Sequence, residues 1–440
     1  MTADSKEKLK VRVVEAIDAR RDLLIQLGEE IFHRPELGFK ERRTAELVDR
    51  AMTEAGIPHR TGVALTGVVG TVAGRADEAR VAVLGELDAV VCPGHPQADP
   101  ITGAAHACGH NCQVATMLGT GFGLLDSGVM AELDGQVVLM AVPAEEYVEI
   151  EYRQRLREGG QIRFLGGKQE FIARGEFDRI DLAMMVHTGS PEPGKDATIS
   201  GTSNGFIGKF IRYSGREAHA GGAPHRGVNA LNAAMIGLVA IHAQRETFKD
   251  DDHIRVHPII TRGGDLVNII PADVRMETYV RGKTMEAILE AGAKVNRALQ
   301  AGGLAVGADC MITEIPGYLP RLNFEPFSQV FAANLAAIIG ADRIGQERHG
   351  AGSTDMGDVS HLLPALHPMI GGAEGAAHSE DFRIADPELA YVLPAKVMAM
   401  TLVDLLADGA ARAKELRAQH HAKYTRESYL TMWDSLFGGR

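Results

Sequence analysis

The chain has 440 residues, of which 45% are hydrophobic and 24% are charged, as in an ordinary soluble globular protein. Its formal net charge of −12 argues against a nucleic-acid partner, because phosphate backbones bind basic surfaces. The four cysteines are too few for a disulfide framework, and the polar first residues lack the apolar segment of a signal peptide. We therefore expect a reducing, cytoplasmic location.

Helical and strand patterns alternate in the first part of the chain. Apolar residues at helical spacing predict helices over 8–32, 41–55 and 114–125. Short apolar runs predict strands over 67–72, 81–84, 136–142 and 182–186. Strands that alternate with helices indicate an α/β fold with a helix-covered, largely parallel sheet. The uncharged run 227–244 contains two Asn and a His, so we predict a packed helix and no membrane span.

The pattern changes between residues 200 and 316. There the order strand, helix, strands, helix predicts a separate α+β domain, with its elements at 207–213, 228–247, 256–261, 275–281 and 285–301. The apolar runs after Pro316 are needed to complete the first domain. We therefore predict a domain formed by residues 1–199 and 317–440, into which the domain 200–316 is inserted. A long helix is predicted near the end, at 387–407.

The segment Gly103–Gln113 reads G-A-A-H-A-C-G-H-N-C-Q. Cys108 and His110 stand two residues apart, and in an extended segment such residues point to the same side. A thiolate and an imidazole on one side of a tight, Gly-flanked turn make half of a metal site. Taken alone, the pair is more often a buried free cysteine and a core histidine.

Further groups of the metal-ligand type follow other predicted strands. Asp88, Glu145, Glu146 and His187 come after three of these strands, and His378 lies in a late Gly-rich loop. Because ligands bind beyond the carboxyl ends of parallel strands, we expect these groups to meet. Adjacent carboxylates after a buried strand are costly without a cation. One could bind a metal ion while the other moves protons.

The chain resembles a known family in several motifs. They are H-x-x-P-E-L-G-F-x-E from His33, A-C-G-H, P-A-E-E, G-x-x-A-H-A, N-I-I-P and the late His loop. The family is that of co-catalytic metallopeptidases and amidohydrolases, which includes aminoacylase, carboxypeptidase G and the hippurate and auxin-conjugate hydrolases. The similarity is greatest to the branch with aminobenzoyl-glutamate hydrolase. It implies a catalytic domain and an inserted domain that acts as lid and dimerisation unit.

The resemblance also implies roles for particular residues in the catalytic domain. Metal ligands would be Cys108, in the bridging position, His110, Glu146, His187 and His378. Glu145 would be the general base that activates water and then protonates the leaving amine. Asp88 would orient a ligand, because this chain has Glu86-Leu87-Asp88 where many members have His-x-Asp. The segment Tyr147–Lys168 is insertion-like and rich in Arg and Glu.

In the inserted domain the resemblance implies three further roles. His219 would reach the active site of the partner subunit and stabilise the oxyanion, and Asn268 and Arg281 would hold a substrate carboxylate. Without the resemblance, a turn His, a turn Asn and a surface Arg would explain all three. A homodimer or higher homo-oligomer through residues 200–316 is implied in the same way.

The expected function is hydrolysis of a C–N bond by metal-activated water, with one or two divalent ions per subunit, zinc or manganese. The expected substrate is a small molecule with a carboxylate, an N-acyl or N-aroyl amino acid such as aminobenzoyl-glutamate. Two alternatives stay open. One is an aminohydrolase that releases ammonia from an aminobenzoate such as nitroanthranilate. The other is a catalytically silent metal-binding protein on the same scaffold. A true peptidase is a third, less favoured possibility that a substrate panel would test.

Overall fold

The computed structural model describes residues 3–437, which form two compact units. Unit 1 runs to Thr202 and continues over Leu322–Arg348 and Asp358–Glu427. Unit 2 contains Ser203–Arg321, His349–Gly357 and the residues from Ser428 onward. The boundaries predicted at 200 and 316 lie close to the ends of Ser203–Arg321.

The first part of unit 1 alternates helices and strands. Its helices are α1 (Ala3–Ala19), α2 (Arg21–Phe32), α3 (Arg42–Glu54), α4 (His110–Asp126), α5 (Ile150–Glu158) and α6 (Gly167–Arg174). Its strands are β1 (His59–Val63), β2 (Gly67–Ala73), β3 (Arg80–Glu86), β4 (Val90–Val91), β5 (Ala104–Ala105), β6 (Gln136–Val142), β7 (Leu182–Met184), β8 (His187–Thr188) and β9 (Ala197–Ile199). The single helix predicted over 8–32 is wrong, because Arg20 leaves the helical conformation with φ −99° and ψ 4°.

Unit 2 consists of an antiparallel sheet and two long helices. Its elements are β10 (Gly205–Ser214), α7 (Ala230–Gln244), β11 (Arg255–Val256), β12 (Ile259–Arg262), β13 (Asp273–Gly282), α8 (Met285–Val306) and β14 (Asp309–Pro316). The strands lie in the order β11-β13-β10-β14, and β12 also pairs with β13. Residues alternate along β13 between buried and half-buried, because α7 and α8 cover one face of the sheet. The strand predicted over 256–261 is in fact two strands, since Pro258 between them has no N–H to donate.

The last part of the chain contains short strands and long helices. They are α9 (Glu325–Ile339), β15 (Ile344–Gln346), α10 (Met356–Leu362), β16 (Ala365–Leu366), β17 (Met369–Ile370), β18 (Ala373–Glu374), β19 (Arg383–Ile384), α11 (Leu393–Gln419) and α12 (Arg426–Phe437). A π-helical turn, Glu388–Val392, leads into α11, and Ala407–Ala410 interrupts it. By length and composition, one helical stretch in the described residues, Glu388–Gln419, could cross a membrane. In this structure 83% of its most apolar window is buried, as in a core helix packed on α1, α4 and α9.

The central sheet of unit 1 positions the candidate site. Its strands lie in the order β1-β2-β6-β3-β7-β16, and β6, β3, β7 and β16 are mutually parallel. The α4 helix packs on β3 and β6, with α1, α2 and α11 behind it. The prediction of a helix-covered, largely parallel sheet is therefore confirmed. The strands β3 and β6 end in register at Glu86 and Val142, so the polar residues at and beyond these ends lie side by side.

Candidate metal centre

Cys108 and His110 are brought together by a tight turn. Gly109 between them has φ 83° and precedes the first residue of α4, which is His110. The tight, Gly-flanked turn that the sequence predicts is present, although His110 begins a helix and does not continue an extended segment. Glycine suits the turn, because a side chain would strain this left-handed backbone and would meet Thr188 at 3.3 Å.

The five predicted ligands form two groups that share one sulfur atom. Ligand atoms of Cys108, His110 and His187 all lie within 4.8 Å of one another, and so do those of Cys108, Glu146 and His378. The Cys108 Sγ is 3.7 Å from His187 Nε2 and 3.3 Å from His378 Nε2. The His378 Nε2 is 2.9 Å from a Glu146 oxygen. The Cys108 sulfur thus stands where it could bridge two ions.

Backbone contacts place the two distant histidines beside this sulfur. The strand β8 carries His187 and pairs in parallel with β17, next to the central sheet. The backbone N–H of His378 donates to the carbonyl of Ala107 at 2.7 Å, and His378 adopts φ 62°. The late loop is therefore anchored directly to the residue before Cys108.

Hydrogen bonds to carbonyls select the ring nitrogens that face the site. The His110 Nδ1 is 2.9 Å from the Asp88 carbonyl, and the His187 Nδ1 is 2.8 Å from the Thr188 carbonyl. A carbonyl oxygen only accepts, so Nδ1 carries the proton in each ring. Each Nε2 is then the atom that can bind a metal ion, as is usual for histidine ligands.

The electrostatics of the cluster favour added positive charge. Burial and the charge of Glu146 raise the pKa of the Cys108 thiol, but the imidazoles of His110 and His187 outweigh both, so this pKa falls to about 6. Burial is the largest single effect on Glu146 and raises its pKa, but the hydrogen bond to His378 and the charges of His378 and His110 together outweigh it and lower this pKa to about 2. Bonds to Cys108 and Glu146 raise the pKa of His378 to about 11. A divalent cation would supply this positive charge in place of the imidazole protons.

The two adjacent carboxylates follow a strained turn that other carboxylates hold. Ala144 has φ 56°, a left-handed conformation that costs a non-glycine residue about 1–2 kcal/mol. Asp88 accepts hydrogen bonds from the backbone N–H groups of Glu145 (3.1 Å) and Glu146 (2.9 Å). Glu41 accepts one from the N–H of Ala144 at 2.8 Å. Asp88 thus lies where a residue that orients the site is expected.

Glu86 and Lys168 are parts of the site that the sequence analysis missed. One Glu86 oxygen is 2.9 Å from His110 Nε2, and the other forms an ion pair with Lys168. Gln113 donates to Glu86 at 2.8 Å. Glu86, His110 and Glu145 form a third group of possible ligand atoms within 4.8 Å. The position of Glu86 at a strand end, two residues before Asp88, could have indicated that it belongs to the site. No sequence pattern indicated Lys168.

The three residues predicted in the inserted domain all lie in unit 2. His219 and Asn268 are on neighbouring exposed loops, where His219 pairs with Ile269 and the N–H of Ala220 donates to the Asn268 carbonyl at 2.9 Å. Arg281 is on β13 and donates to Ser353 Oγ at 3.2 Å. The structure therefore places His219 beside Asn268, and Arg281 on a different element.

Comparisons with known proteins agree with this fold. Residues 202–304 match the family model described as a peptidase dimerisation domain. The chain is 28% identical over 421 residues to Xaa-Arg dipeptidase of Mus musculus, covering 91% of this chain and 89% of that protein. It is 30% identical over 318 residues to thermostable carboxypeptidase 2 of Saccharolobus solfataricus, covering 70% of this chain and 75% of that protein. The structure of the Bacillus subtilis YXEP protein, a dinuclear metal-binding peptidase from the M20 family, matches with a TM-score of 0.63 at 21% identity, covering 88% of this chain and 99% of that one.

Together the fold and these similarities define the class of the protein. It is a hydrolase that acts on C–N bonds. More particularly, the chain belongs to the M20 family of metallopeptidases and amidohydrolases, as its motifs predicted. The family and the donor set, a thiolate with imidazoles and carboxylates, both support a divalent metal.

Proposed function

We propose that the protein is a metal-dependent amidohydrolase that cleaves the C–N bond of an N-acyl or N-aroyl amino acid such as aminobenzoyl-glutamate. The observation that carries this proposal is the pair of ligand groups that share Cys108. A further carboxylate, Glu145, lies beside them, with an oxygen 3.8 Å from His110 Nε2. This arrangement supports hydrolysis more than metal storage, because a storage site needs no additional proton acceptor.

Each side chain has a task in the proposed reaction. Cys108, His110, Glu146, His187 and His378 would hold zinc or manganese, which lowers the pKa of a water molecule and polarises a carbonyl. Glu145 would take a proton from the attacking water and deliver it to the leaving amine. Asp88 would keep Glu145 and Glu146 in place through their backbone N–H groups.

The environment of Arg281 supports a substrate with a carboxylate. The Arg281 guanidinium lies 5.5 Å from the ring centres of Phe206 and Tyr279, which restricts its orientation. It lines a cleft of about 260 Å³ together with Arg255 and His257. A planar guanidinium held in this way suits a carboxylate. We propose that Arg281 binds the substrate carboxylate together with Asn268 of the partner subunit, and that the partner's His219, which lies beside that Asn268, stabilises the oxyanion.

A substrate panel combined with one variant tests the proposal. The panel contains aminobenzoyl-glutamate, N-acetyl and N-benzoyl amino acids, Xaa-Arg dipeptides and aminobenzoates, assayed for released amine or ammonia. We expect amine release from an acyl or aroyl amino acid. We also expect Glu145→Gln to lower kcat by about 100- to 10,000-fold while it keeps its metal. Ammonia release from an aminobenzoate alone would favour the aminohydrolase reaction. Metal binding without any turnover would favour a silent metal-binding protein.

The surface of unit 2 supports a homodimer. Met235, Ile236 and Val239 on α7 are 54%, 39% and 69% exposed. Large apolar side chains grouped in this way are typical of an interface.

All four cysteines are free thiols, and Cys108 binds metal only when reduced, which supports the proposed cytoplasmic location.

A further inference from the structure

In the segment Tyr147–Lys168, the Arg153 guanidinium contacts the turn that carries the adjacent carboxylates Glu145 and Glu146. Arg153 on α5 is 1% exposed, so its guanidinium lies inside unit 1. Its Nη1 donates to the carbonyl of Ala144 at 3.3 Å, and its Nη2 donates to the carbonyl of Glu146. Nη1 also donates to the Leu165 carbonyl at 2.7 Å. A single planar group therefore spans the residues on either side of Glu145.

The segment packs so that this guanidinium has little freedom. Phe39, Ala144, Leu156 and Ile162 form a small apolar cluster around the turn. The centre of the Arg153 guanidinium lies 5.5 Å from the ring centre of Phe39. Burying a guanidinium is costly unless its N–H groups are bonded, and here backbone carbonyls accept from Nη1 and Nη2, although Nε has no hydrogen-bond partner among the described residues. The segment thus binds the turn through both apolar contacts and charged hydrogen bonds.

The turn is held from two sides by buried charged groups. The carboxylates of Glu41 and Asp88 bind the N–H groups of residues 144–146, and Arg153 binds the carbonyls of residues 144 and 146. The left-handed conformation of Ala144 persists only if its surroundings enforce it. With Arg153 removed, the two carbonyls lose a charged donor and the peptide planes beside Glu145 can rotate.

We propose that Arg153 is a positioning residue that fixes the directions of Glu145 and Glu146. The Tyr147–Lys168 segment would then stabilise the turn that orients the carboxylates of the metal centre. The inference rests on the proposed function for the role of Glu145, whereas the role of Glu146 as a metal ligand can be tested without turnover.

The experiment compares Arg153→Met with Arg155→Met, an exposed arginine two positions along the same helix. The affinity for Zn²⁺ is measured by competition with a chelator, and kcat and KM are measured on the best substrate of the panel. For Arg153→Met we expect Zn²⁺ affinity and kcat each to fall about 10- to 100-fold, with KM within about twofold of wild type. Arg155→Met should match the wild-type protein in all three.

A second variant keeps the proposal testable if Arg153→Met does not fold. Arg153→Lys keeps the positive charge, but its single ammonium group lacks the planar fork that spans two carbonyls. We expect smaller losses of the same kind, with an unchanged circular dichroism spectrum. Wild-type Zn²⁺ affinity and kcat in a folded Arg153 variant would overturn the proposal, and so would a loss confined to KM. If the wild-type protein hydrolyses no member of the panel, the proposed function fails and Zn²⁺ affinity alone decides the role of Arg153.

Discussion

Replacing Lys168 by methionine should strongly destabilise unit 1. The side chains of Lys168 and Glu86 are 0% and 1% exposed, so their ion pair is shielded from water. Burial raises the pKa of Glu86, but the charge of Lys168, followed by that of His110, outweighs burial and holds this pKa well below its usual range. Methionine fills a similar volume without the charge, and it leaves the Glu86 carboxylate buried without its main counter-charge.

The expected loss is about 3 kcal/mol of unfolding free energy, at the lower end of the range for removing one partner of a buried pair. We choose the lower end because Gln113 and His110 still contact Glu86. The loss should shrink as the pH falls. The wild-type protein loses the stability contributed by this carboxylate below about pH 4.5, because the unfolded chain takes up a proton there, whereas in the variant protonation relieves the buried charge.

Urea denaturation measures the difference in unfolding free energy between Lys168→Met and the wild-type protein, with Lys423→Met as control. Lys423 is an exposed lysine of the same unit, and its replacement should change stability by less than about 0.5 kcal/mol. The double variant Lys168→Met/Glu86→Gln should recover at least half of the loss, because no charge is then left without a partner. If Lys168→Met is as stable as the control, the ion pair does not stabilise the fold. If the double variant is as unstable as the single one, the loss comes from packing and not from charge.

Three further predictions follow from the structure. Burial, followed by the charge of Asp88, raises the pKa of Glu41 to about 7, so its carboxylate destabilises the folded state progressively as the pH rises through about 4.5–7. Glu41→Gln should therefore gain about 2–3 kcal/mol in unfolding free energy relative to wild type between pH 5 and pH 8, measured by urea denaturation, and a constant difference would contradict the raised pKa. Cys108→Ala should lose all tightly bound metal, whereas His187→Ala should keep the ion shared by Glu146 and His378, as measured by mass spectrometry after dialysis; equal metal contents would contradict a shared sulfur. Val239→Asp should convert a dimer into monomers in light scattering, because it places a charge in the exposed apolar face of α7, and an intact dimer would exclude that face as the interface.

Much of the metal centre could be predicted because its residues follow strands with strong local patterns. The apolar runs 81–84 in β3 and 137–142 in β6 are uninterrupted, so Asp88 and Glu145 could be placed at the same edge of a parallel sheet. The resemblance to the family then related His378 to them. The tight turn at Gly109 could be predicted from the small residues around Cys108, because they allow close backbone approach.

The supporting charged pairs could not be predicted for a different reason. Lys168 and Glu86 are 82 positions apart, and no local periodicity connects them. Arg153 lies on a short polar helix whose pattern resembles that of a solvated surface element, yet it is almost fully buried. Such residues are recognised only when the fold shows which backbone groups they bind.

The most direct test of the metal centre is anomalous diffraction from crystals of the protein loaded with zinc or manganese. We predict two peaks on opposite sides of the Cys108 sulfur, each about 2.3 Å from it if the metal is zinc. One should also contact His110 and His187, and the other Glu146 and His378. Peaks remote from Cys108, or fully loaded crystals without a peak at this sulfur, would contradict the account.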